Sequence, residues 1–299
     1  MGMDQASKLR ELIGKPQIKH GPERDPEQVP SATGSRIIAV TSGKGGVGKT
    51  SLVVNVAVLL AKMGKRVVVF DADMGLANAE VLLGLNPRYT LYEVISGEKT
   101  LDEVMLRGPY NLHIISGGSG LQELVDLDDT QLNTLLSTFA SLEEKTDFVL
   151  VDTGAGISKN VLGFVAASRE VVVVVTPEPA SLTDAYALIK VLAKFKTHTE
   201  VNLVVNRATG EREAMFTANK MKTVAAKFLN ISVKNIGYVI EDKVIRQASK
   251  AQVPFVLMKP GATASCNVAN ITGAIVNKCE HTPDRGMITF IGKLVRLFR

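Results

Sequence analysis

The chain has 299 residues, of which 45% are apolar and 22% charged, and its formal net charge is +5 at pH 7. This composition is typical of a globular protein with a sizeable core, and no run approaches the 18 apolar residues of a transmembrane helix. The polar start, MGMDQASKLR, lacks the apolar segment of a secretory signal. The modest positive charge permits contact with an acidic surface but does not indicate nucleic acid as a partner.

The first 35 residues are predicted to lie outside the folded body. Residues 3–13 can form a short helix with its apolar side chains roughly on one side. Residues 14–35 contain four prolines and three glycines and almost no apolar side chain, which is typical of a linker. We therefore expect residues 1–13 to be a tethered element and residues 14–35 to be its linker.

From Arg36 onward, short apolar runs alternate with amphipathic segments. The runs, rich in β-branched residues, occupy 37–40, 67–70, 112–115, 148–151, 171–175, 201–206 and 236–240. The amphipathic segments include 50–63, 128–143, 181–196 and 212–229. Continuous apolar runs predict strands that are buried on both faces. The alternation predicts a doubly wound α/β fold, a mostly parallel sheet flanked by helices.

The segment GKGGVGKT, residues 43–50, satisfies the phosphate-binding pattern G-x-x-x-x-G-K-[S/T] between a predicted strand and a predicted helix. Its glycines allow the backbone amides to approach phosphate oxygens at the helix N-terminus. We expect Lys49 to reach the β- and γ-phosphates and Thr50 to bind Mg²⁺. The predicted nucleotide-binding residues of this loop are Gly43, Lys44, Gly45, Gly46, Val47, Gly48, Lys49, Thr50 and Ser51.

The second lysine of the loop, Lys44, makes KGGVGKT resemble the deviant Walker A motif of the MinD/ParA family of ATPases. The resemblance covers about residues 36–280 and implies a P-loop NTPase domain that binds ATP and Mg²⁺ and dimerises with ATP. It also implies that Lys44 contacts the partner subunit's nucleotide, as an arginine finger does, so that hydrolysis depends on dimerisation. The alternative is that Lys44 is only a solvated loop charge.

Acidic residues follow two of the predicted strands. The segment 67–84 resembles the second motif and switch I of the family, which implies that Asp71 lies near the phosphates and metal, that Asp73 orients the attacking water and that Asn78 lies near the dimer interface. A helix cap is the alternative role for Asp71. The segment FVLVDTGAG, residues 148–156, resembles a Walker B strand, so Asp152 is expected to hold Mg²⁺ through water.

Two further predictions concern the base and the thiols. The resemblance implies that Asn206 and Arg207, at the end of the later strand VVNR, contact adenine. Because the chain has no N-K-x-D guanine motif, specificity for ATP depends on the resemblance. Cys266 and Cys279 match no metal-binding spacing and are predicted to be small buried side chains.

In the segment MITFIGKLVRLFR, residues 287–299, apolar residues recur at helical spacing on one side, and the segment has no acidic residue. Within 281–299 it resembles the amphipathic membrane-targeting helix of MinD, which implies reversible attachment to anionic lipids on the inner face of a bacterial membrane. The alternative is a terminal helix that packs on its own core. The predicted membrane residues are Phe290, Ile291, Lys293, Leu294, Val295, Arg296 and Phe298.

The segment DQASKLR, residues 4–10, resembles the DQAxxLR motif of a flagellar branch of the MinD-like ATPases. That resemblance implies an FlhF-type GTPase as partner, stimulated through Asp4, Gln5, Leu9 and Arg10, together with flagellar basal-body or C-ring proteins. A disordered start is the alternative interpretation.

Two classes of function therefore remain open. One is a cytoplasmic, membrane-associating ATPase switch that controls flagellar number and placement. The other is an adaptor in which ATP turnover is incidental. Within the ATPase class, a division-site MinD protein is the next hypothesis. A DNA-partitioning ParA protein is disfavoured because the charge is distributed along the chain.

Overall fold

A computed structural model describes residues 34–73, 79–118, 127–277 and 286–298. In these ranges the strands are β1 (Arg36–Ser42), β2 (Val67–Ala72), β3 (Leu106–Arg107), β4 (His113–Ser116), β5 (Phe148–Ala155), β6 (Glu170–Val175), β7 (Glu200–Ala208) and β8 (Ser232–Ile240). They form one sheet in the order β3-β4-β2-β5-β1-β6-β7-β8. The pairs are parallel except β3 with β4, which is antiparallel. The predicted doubly wound, mostly parallel sheet is confirmed.

The helices of the described ranges follow the predicted alternation from the phosphate loop onward. They are α1 (Lys49–Lys62), α2 (Ala79–Leu82), α3 (Leu91–Ile95), α4 (Leu101–Val104), α5 (Asp129–Glu143), α6 (Lys159–Ala167), α7 (Pro179–Phe195), α8 (Glu211–Phe228), α9 (Lys243–Ala251), α10 (Phe255–Met258), α11 (Thr263–Asn277) and α12 (Met287–Phe298). A short 3-10 turn occupies Pro109–Asn111.

Alternate residues of β1 distinguish the two faces of the sheet. Ile38 and Val40 pack in one cluster with α1, α9, α10 and α11, on what we call the front face. Ile37 packs with α5, α6 and α12, and Ala39 packs with α6, α7 and α8, on what we call the back face. Since Ile37 and Ala39 point the same way, the helices α5, α6, α7, α8 and α12 all cover the back face.

The C-terminal helix α12 is part of the back-face core. Its buried residues are Met287, Phe290, Ile291, Leu294, Val295 and Phe298. The ring of Phe164, on α6, lies 6.4 Å from that of Phe290 and 5.7 Å from that of Phe298, measured between ring centroids. In this structure the apolar side of the helix is therefore packed against the body of the same chain.

Charged side chains from α5 and α6 bind the two ends of α12. A carboxylate oxygen of Glu143 accepts a hydrogen bond from the backbone N–H of Ile288, at 3.3 Å. At the other end, the Lys159 ammonium donates to the backbone carbonyl of Phe298, at 2.7 Å. An anion at the N-terminus and a cation at the C-terminus each complement the helix dipole, so both contacts stabilise the docked helix.

The structure corrects one prediction and leaves others outside its range. Cys266 is exposed rather than buried, because it lies on the outer side of α11 while its neighbours Ser265 and Asn267 face inward. Cys279 and residues 1–33, with the predicted N-terminal helix and most of the linker, lie outside the described residues. None of the described helices is long and apolar enough to span a bilayer.

Candidate functional site

The phosphate-binding loop connects β1 to α1 at the carboxyl end of the sheet. Gly48, which precedes the first residue of α1, has a φ of 92°, in the left-handed region that favours glycine. Gly43 lies against the backbone of Asp184, and a Cβ atom there would overlap it. The loop therefore needs glycine at both positions to reach the start of α1, where free backbone amides can bind an anion.

The Asn206 side chain holds the phosphate loop in place. Its amide nitrogen donates to the backbone carbonyl of Val47 at 2.7 Å, and its oxygen accepts from the backbone N–H of Arg207 at 3.0 Å. Lys49, the lysine predicted to reach the phosphates, is largely buried (8% exposed) at the start of α1. The predicted contact of Asn206 with adenine stays a prediction, since this amide is here bound to the loop itself.

Asp152 is a buried carboxylate at the carboxyl end of β5. It is 1% exposed, and neither of its oxygens has a partner at ordinary hydrogen-bond geometry, although the Thr50 hydroxyl lies close enough to act on its pKa. Burial raises its pKa to about 7; the nearby carboxylates of Asp71 and Asp73 add to the shift, and the Thr50 hydroxyl and the Lys49 ammonium oppose it. Such a carboxylate without a partner is costly unless a cation, or water bound to one, is at hand.

The residues around Asp152 fit the predicted Mg²⁺ site. Asp71 lies beside it on β2, paired with it in register, and Thr50, the second residue of α1, is close by. Within the described ranges, no group of three histidine, cysteine or acidic side chains could hold a metal ion by itself. A Mg²⁺ ion here would therefore need oxygens from a nucleotide as well, as is usual for this ion.

Asp71 also binds two backbone amides that follow it in the chain. One of its oxygens accepts from the backbone N–H of Asp73 at 3.0 Å, and the other accepts from that of Ala79, the first residue of α2, at 3.2 Å. The predicted alternative role of Asp71 as a helix cap is thus present in the structure. Asn78 lies outside the described residues.

Asp73 lies next to the start of switch II. A Cβ atom built on Gly154 would be 3.6 Å from a carboxylate oxygen of Asp73. Two residues later, the backbone N–H of Gly156 donates to the carbonyl of Ser42 at 2.8 Å, which joins switch II to the end of β1. The structure therefore places Asp73 and the backbone after β5 close to the end of β1, where the phosphate loop begins.

Lys44 lies at the rim of the loop and is paired with an acidic side chain that the sequence did not reveal. Its ammonium is 3.2 Å from a carboxylate oxygen of Glu178, and the two side chains are 43% and 59% exposed. The Ser42 hydroxyl donates to the backbone carbonyl of Lys44 at 2.7 Å. Glu178 directly precedes α7, and the only signal for it was its place in VTPEPASLTD after a predicted strand.

A pocket of about 420 Å³ adjoins the loop and contains both predicted adenine residues, Asn206 and Arg207. Arg207 has a φ of 57°, a strained conformation for a side-chain-bearing residue that is often found at functional sites. Glu241 and Asp242, which follow β8, also line the pocket. These two residues were not predicted from the sequence, although their position after a predicted strand at the carboxyl edge of a parallel sheet was a usable signal.

The other predicted sites are not part of this constellation. The predicted membrane residues on α12 lie on the back face, and Asp4, Gln5, Leu9 and Arg10 lie outside the described residues.

Comparisons with known proteins identify the family. Residues 35–205 match the family model described as an AAA domain. The antiactivator FleN of Pseudomonas aeruginosa is 42% identical over 217 residues, which are 73% of this chain and 78% of FleN. The flagellum site-determining protein YlxH of Helicobacter pylori is 31% identical and covers 88% of this chain and 90% of its own. The structure of the septum site-determining protein MinD complexed with Mg-ADP from Pyrococcus horikoshii has a TM-score of 0.64 at 26% identity, covering 82% of this chain and 96% of that one.

Proposed function

Because this chain belongs to the FlhG (FleN/YlxH) group of the MinD/ParA family of deviant Walker A ATPases, we propose that it is a dimerising ATPase switch that controls flagellar number and placement at the membrane. The observation that carries the proposal is the joint presence of a buried Asp152 carboxylate without a partner and an exposed second lysine at the loop rim. The buried carboxylate needs a cation nearby, and the exposed lysine side chain is accessible to a partner subunit.

At the nucleotide site, each residue has a separate task. Lys49 and the amides at the start of α1 bind the phosphates, and Asn206 keeps the loop in shape for them. Thr50 and Asp152 would hold Mg²⁺, which would supply positive charge that neutralises the phosphates. Asp73, beside the switch II backbone, accepts a hydrogen bond from the attacking water and so aligns it.

Lys44 supplies the dependence on dimerisation. In the single chain its ammonium is paired with the Glu178 carboxylate. In the ATP-bound dimer, Lys44 leaves Glu178 and stabilises the transition-state charge on the partner subunit's nucleotide. Both groups are well exposed, so exchanging one partner for another costs little.

The C-terminal helix α12 provides the membrane output. Helix α6, whose Lys159 binds the end of α12, begins three residues after Gly156 of switch II. A shift of switch II on nucleotide binding would therefore displace Lys159 and loosen α12 from its groove. The released helix has a wide apolar side and basic residues, which suits an anionic bilayer surface, and two such helices in a dimer bind more strongly than one.

Sedimentation with vesicles that contain phosphatidylglycerol, with and without Mg-ATP, tests this switch. The wild type should pellet with Mg-ATP only, Lys44→Ala in neither condition, and Lys159→Met in both, because its helix is held less tightly. Lys62→Met, a matched change at an exposed site on the front face, should behave as the wild type. Equal pelleting of wild type and Lys44→Ala in both conditions would overturn the coupling.

The flagellar output is proposed to pass through residues 4–10. Their resemblance to DQAxxLR supports stimulation of an FlhF-type GTPase, with Gln5 orienting water and Arg10 pairing with charge. A peptide of residues 1–13 should raise the GTPase rate of that partner, and the same peptide with Gln5→Ala should not. In cells, loss of the chain should change flagellar number and position, whereas minicells would indicate the division-site role instead.

The adaptor hypothesis and the switch hypothesis predict different results for one substitution, Lys44→Ala. If Lys44→Ala blocks dimerisation and turnover but leaves flagellar number normal, the N-terminal segment is sufficient and the proposed switch is wrong.

A further inference from the structure

The outer side of α7 and α8 forms an exposed cationic surface on the back face. It contains six residues that the nucleotide site does not use, and we call them the cationic face: Lys190, Lys194, Arg212, Phe216, Lys220 and Lys227. On each helix, spacings of four and three residues place most of these side chains along one stripe. Phe216, between Arg212 and Lys220, is 72% exposed, which is unusual for so large an apolar side chain.

The acidic residues of these two helices do not neutralise the stripe. On α7 the acidic residue is Asp184, whose backbone lies against Gly43 of the phosphate loop. On α8 the acidic residues are Glu211 and Glu213, both in the first turn. The Glu213 carboxylate accepts hydrogen bonds from the backbone N–H and the hydroxyl of Thr209, which hold it at the helix start and lower its pKa. The remaining length of α8 therefore presents only positive charge.

The other surfaces of the described chain differ in charge. Helix α11 on the front face has no charged residue along its 15 residues. Around α3 and α4 the exposed charges are mainly acidic, with Glu98, Asp102 and Glu103 close together. Helix α9 on the front face also carries exposed cations, Lys243, Arg246 and Lys250, but it has no exposed large apolar side chain, so Phe216 distinguishes the cationic face from it.

A short connection keeps the body close to any bilayer that α12 enters. Nine residues, 278–286, join the end of α11 to the start of α12. Nine residues span at most about 30 Å when fully extended. This tether keeps the body near the bilayer, and charged surfaces that come within a Debye length of about 8 Å of the lipid headgroups contribute to its orientation.

We propose that the cationic face of α7 and α8 is a second membrane-contact surface, which lays the body with its back face on anionic lipid once α12 has inserted. The proposal rests on the membrane role of α12 given above. Phe216 enters the headgroup region while the flanking cations bind lipid phosphates or carboxylates, as basic and aromatic residues do in interfacial helices. The carboxyl edge with the nucleotide site is left free, so dimerisation and membrane contact do not compete.

Charge reversal in the full-length protein tests the surface. The test pair is Lys220→Glu with Lys227→Glu, and the matched control pair is Lys62→Glu with Lys65→Glu, which are exposed at the end of α1 and change the net charge equally. Binding to phosphatidylglycerol vesicles with Mg-ATP should weaken on the order of tenfold or more for the test pair and less than threefold for the control. Phe216→Ser should weaken binding, whereas Met63→Ser, a change at another exposed apolar residue, should not.

The outcomes separate this surface from the function it depends on. If the wild type binds vesicles and both pairs bind equally, α12 acts alone and the cationic face is not a lipid surface, while the proposed switch stands. If the wild type does not bind at all, the membrane role of α12 fails and this proposal fails with it. If the test pair loses affinity for duplex DNA but keeps its affinity for vesicles, the surface is a nucleic-acid face and the proposal is overturned.

Discussion

Replacing Leu294 by alanine distinguishes a docked C-terminal helix from a free one in the nucleotide-free chain. Leu294 is completely buried (0% exposed) in the back-face core, together with Phe290 and Phe298 of the same helix. Removing its three outer carbon atoms leaves a cavity that the surrounding side chains fill only in part. Substitutions of this kind destabilise the folded state by about 2 to 5 kcal/mol.

The matched control lies on the same helix. Ile288 is 47% exposed, so Ile288→Ala should change the unfolding free energy by less than about 0.5 kcal/mol. The measurement is urea unfolding of the nucleotide-free protein, with the midpoint compared at equal slope. A Leu294→Ala variant within about 0.5 kcal/mol of the wild type would show that α12 is not packed in solution and would refute the docked arrangement.

A point substitution is preferable to deletion of the helix. Truncation after Asp284 would remove six buried apolar side chains from the core. At about 1.5 to 3 kcal/mol each, their transfer free energy is roughly 9 to 18 kcal/mol, comparable to the whole stability of a typical domain. Such a chain is expected to unfold or aggregate, so its failure to bind membranes would not test the helix.

Three more predictions concern the nucleotide site. Glu178→Gln should change the unfolding free energy by less than about 1 kcal/mol, because the ion pair of Glu178 with Lys44 is exposed. The same change should lower the protein concentration at which the ATP-bound dimer forms, measured by light scattering. An unchanged concentration would show that Glu178 does not restrain Lys44. Asp152 has a pKa of about 7 and must be ionised to hold Mg²⁺. The Mg²⁺-dependent part of ATP affinity should therefore rise by up to about tenfold per pH unit below pH 7 and stay level above it. In titrations with a fluorescent ATP analogue, Asp152→Asn should remove this pH dependence. In the nucleotide-free protein the raised pKa of Asp152 means that the folded state binds more protons than the unfolded state between about pH 4 and pH 7. The contribution of Asp152 to the unfolding free energy should therefore decline over that window by at most about 4 kcal/mol and stay constant above it. This would be contradicted if Asp152→Asn kept the wild-type dependence of the unfolding free energy on pH.

The nucleotide site was largely predictable because its parts are local in sequence. The glycine pattern of residues 43–50 specifies a turn, an anion-binding helix start and a lysine within a single stretch. Asp152 and Asp71 each follow an apolar run of a strand, and parallel strands bring the residues toward their carboxyl ends to the same edge. Local pattern was therefore sufficient for the sheet, the phosphate loop and the acidic residues near it.

Contacts between distant segments were not predictable in the same way. Glu178 pairs with Lys44 across 134 positions. The helices α9 to α11 lie in a part of the chain, residues 243–277, for which no helix was predicted. The exposure of Cys266 depends on which side of α11 faces the sheet, which only the packing determines.

For the C-terminal helix, the sequence determined the helical pattern and the tertiary structure determined what its apolar side contacts. Its sequence determined that residues 287–298 form an amphipathic helix with a wide apolar side, because spacing alone sets which side chains share a face. It did not determine what that side contacts, since phenylalanine and leucine leave water equally well for a protein core or for lipid. The tertiary structure supplied the groove, Phe164 within it, and Glu143 and Lys159 at its two ends, and these fix the helix on the body in this state.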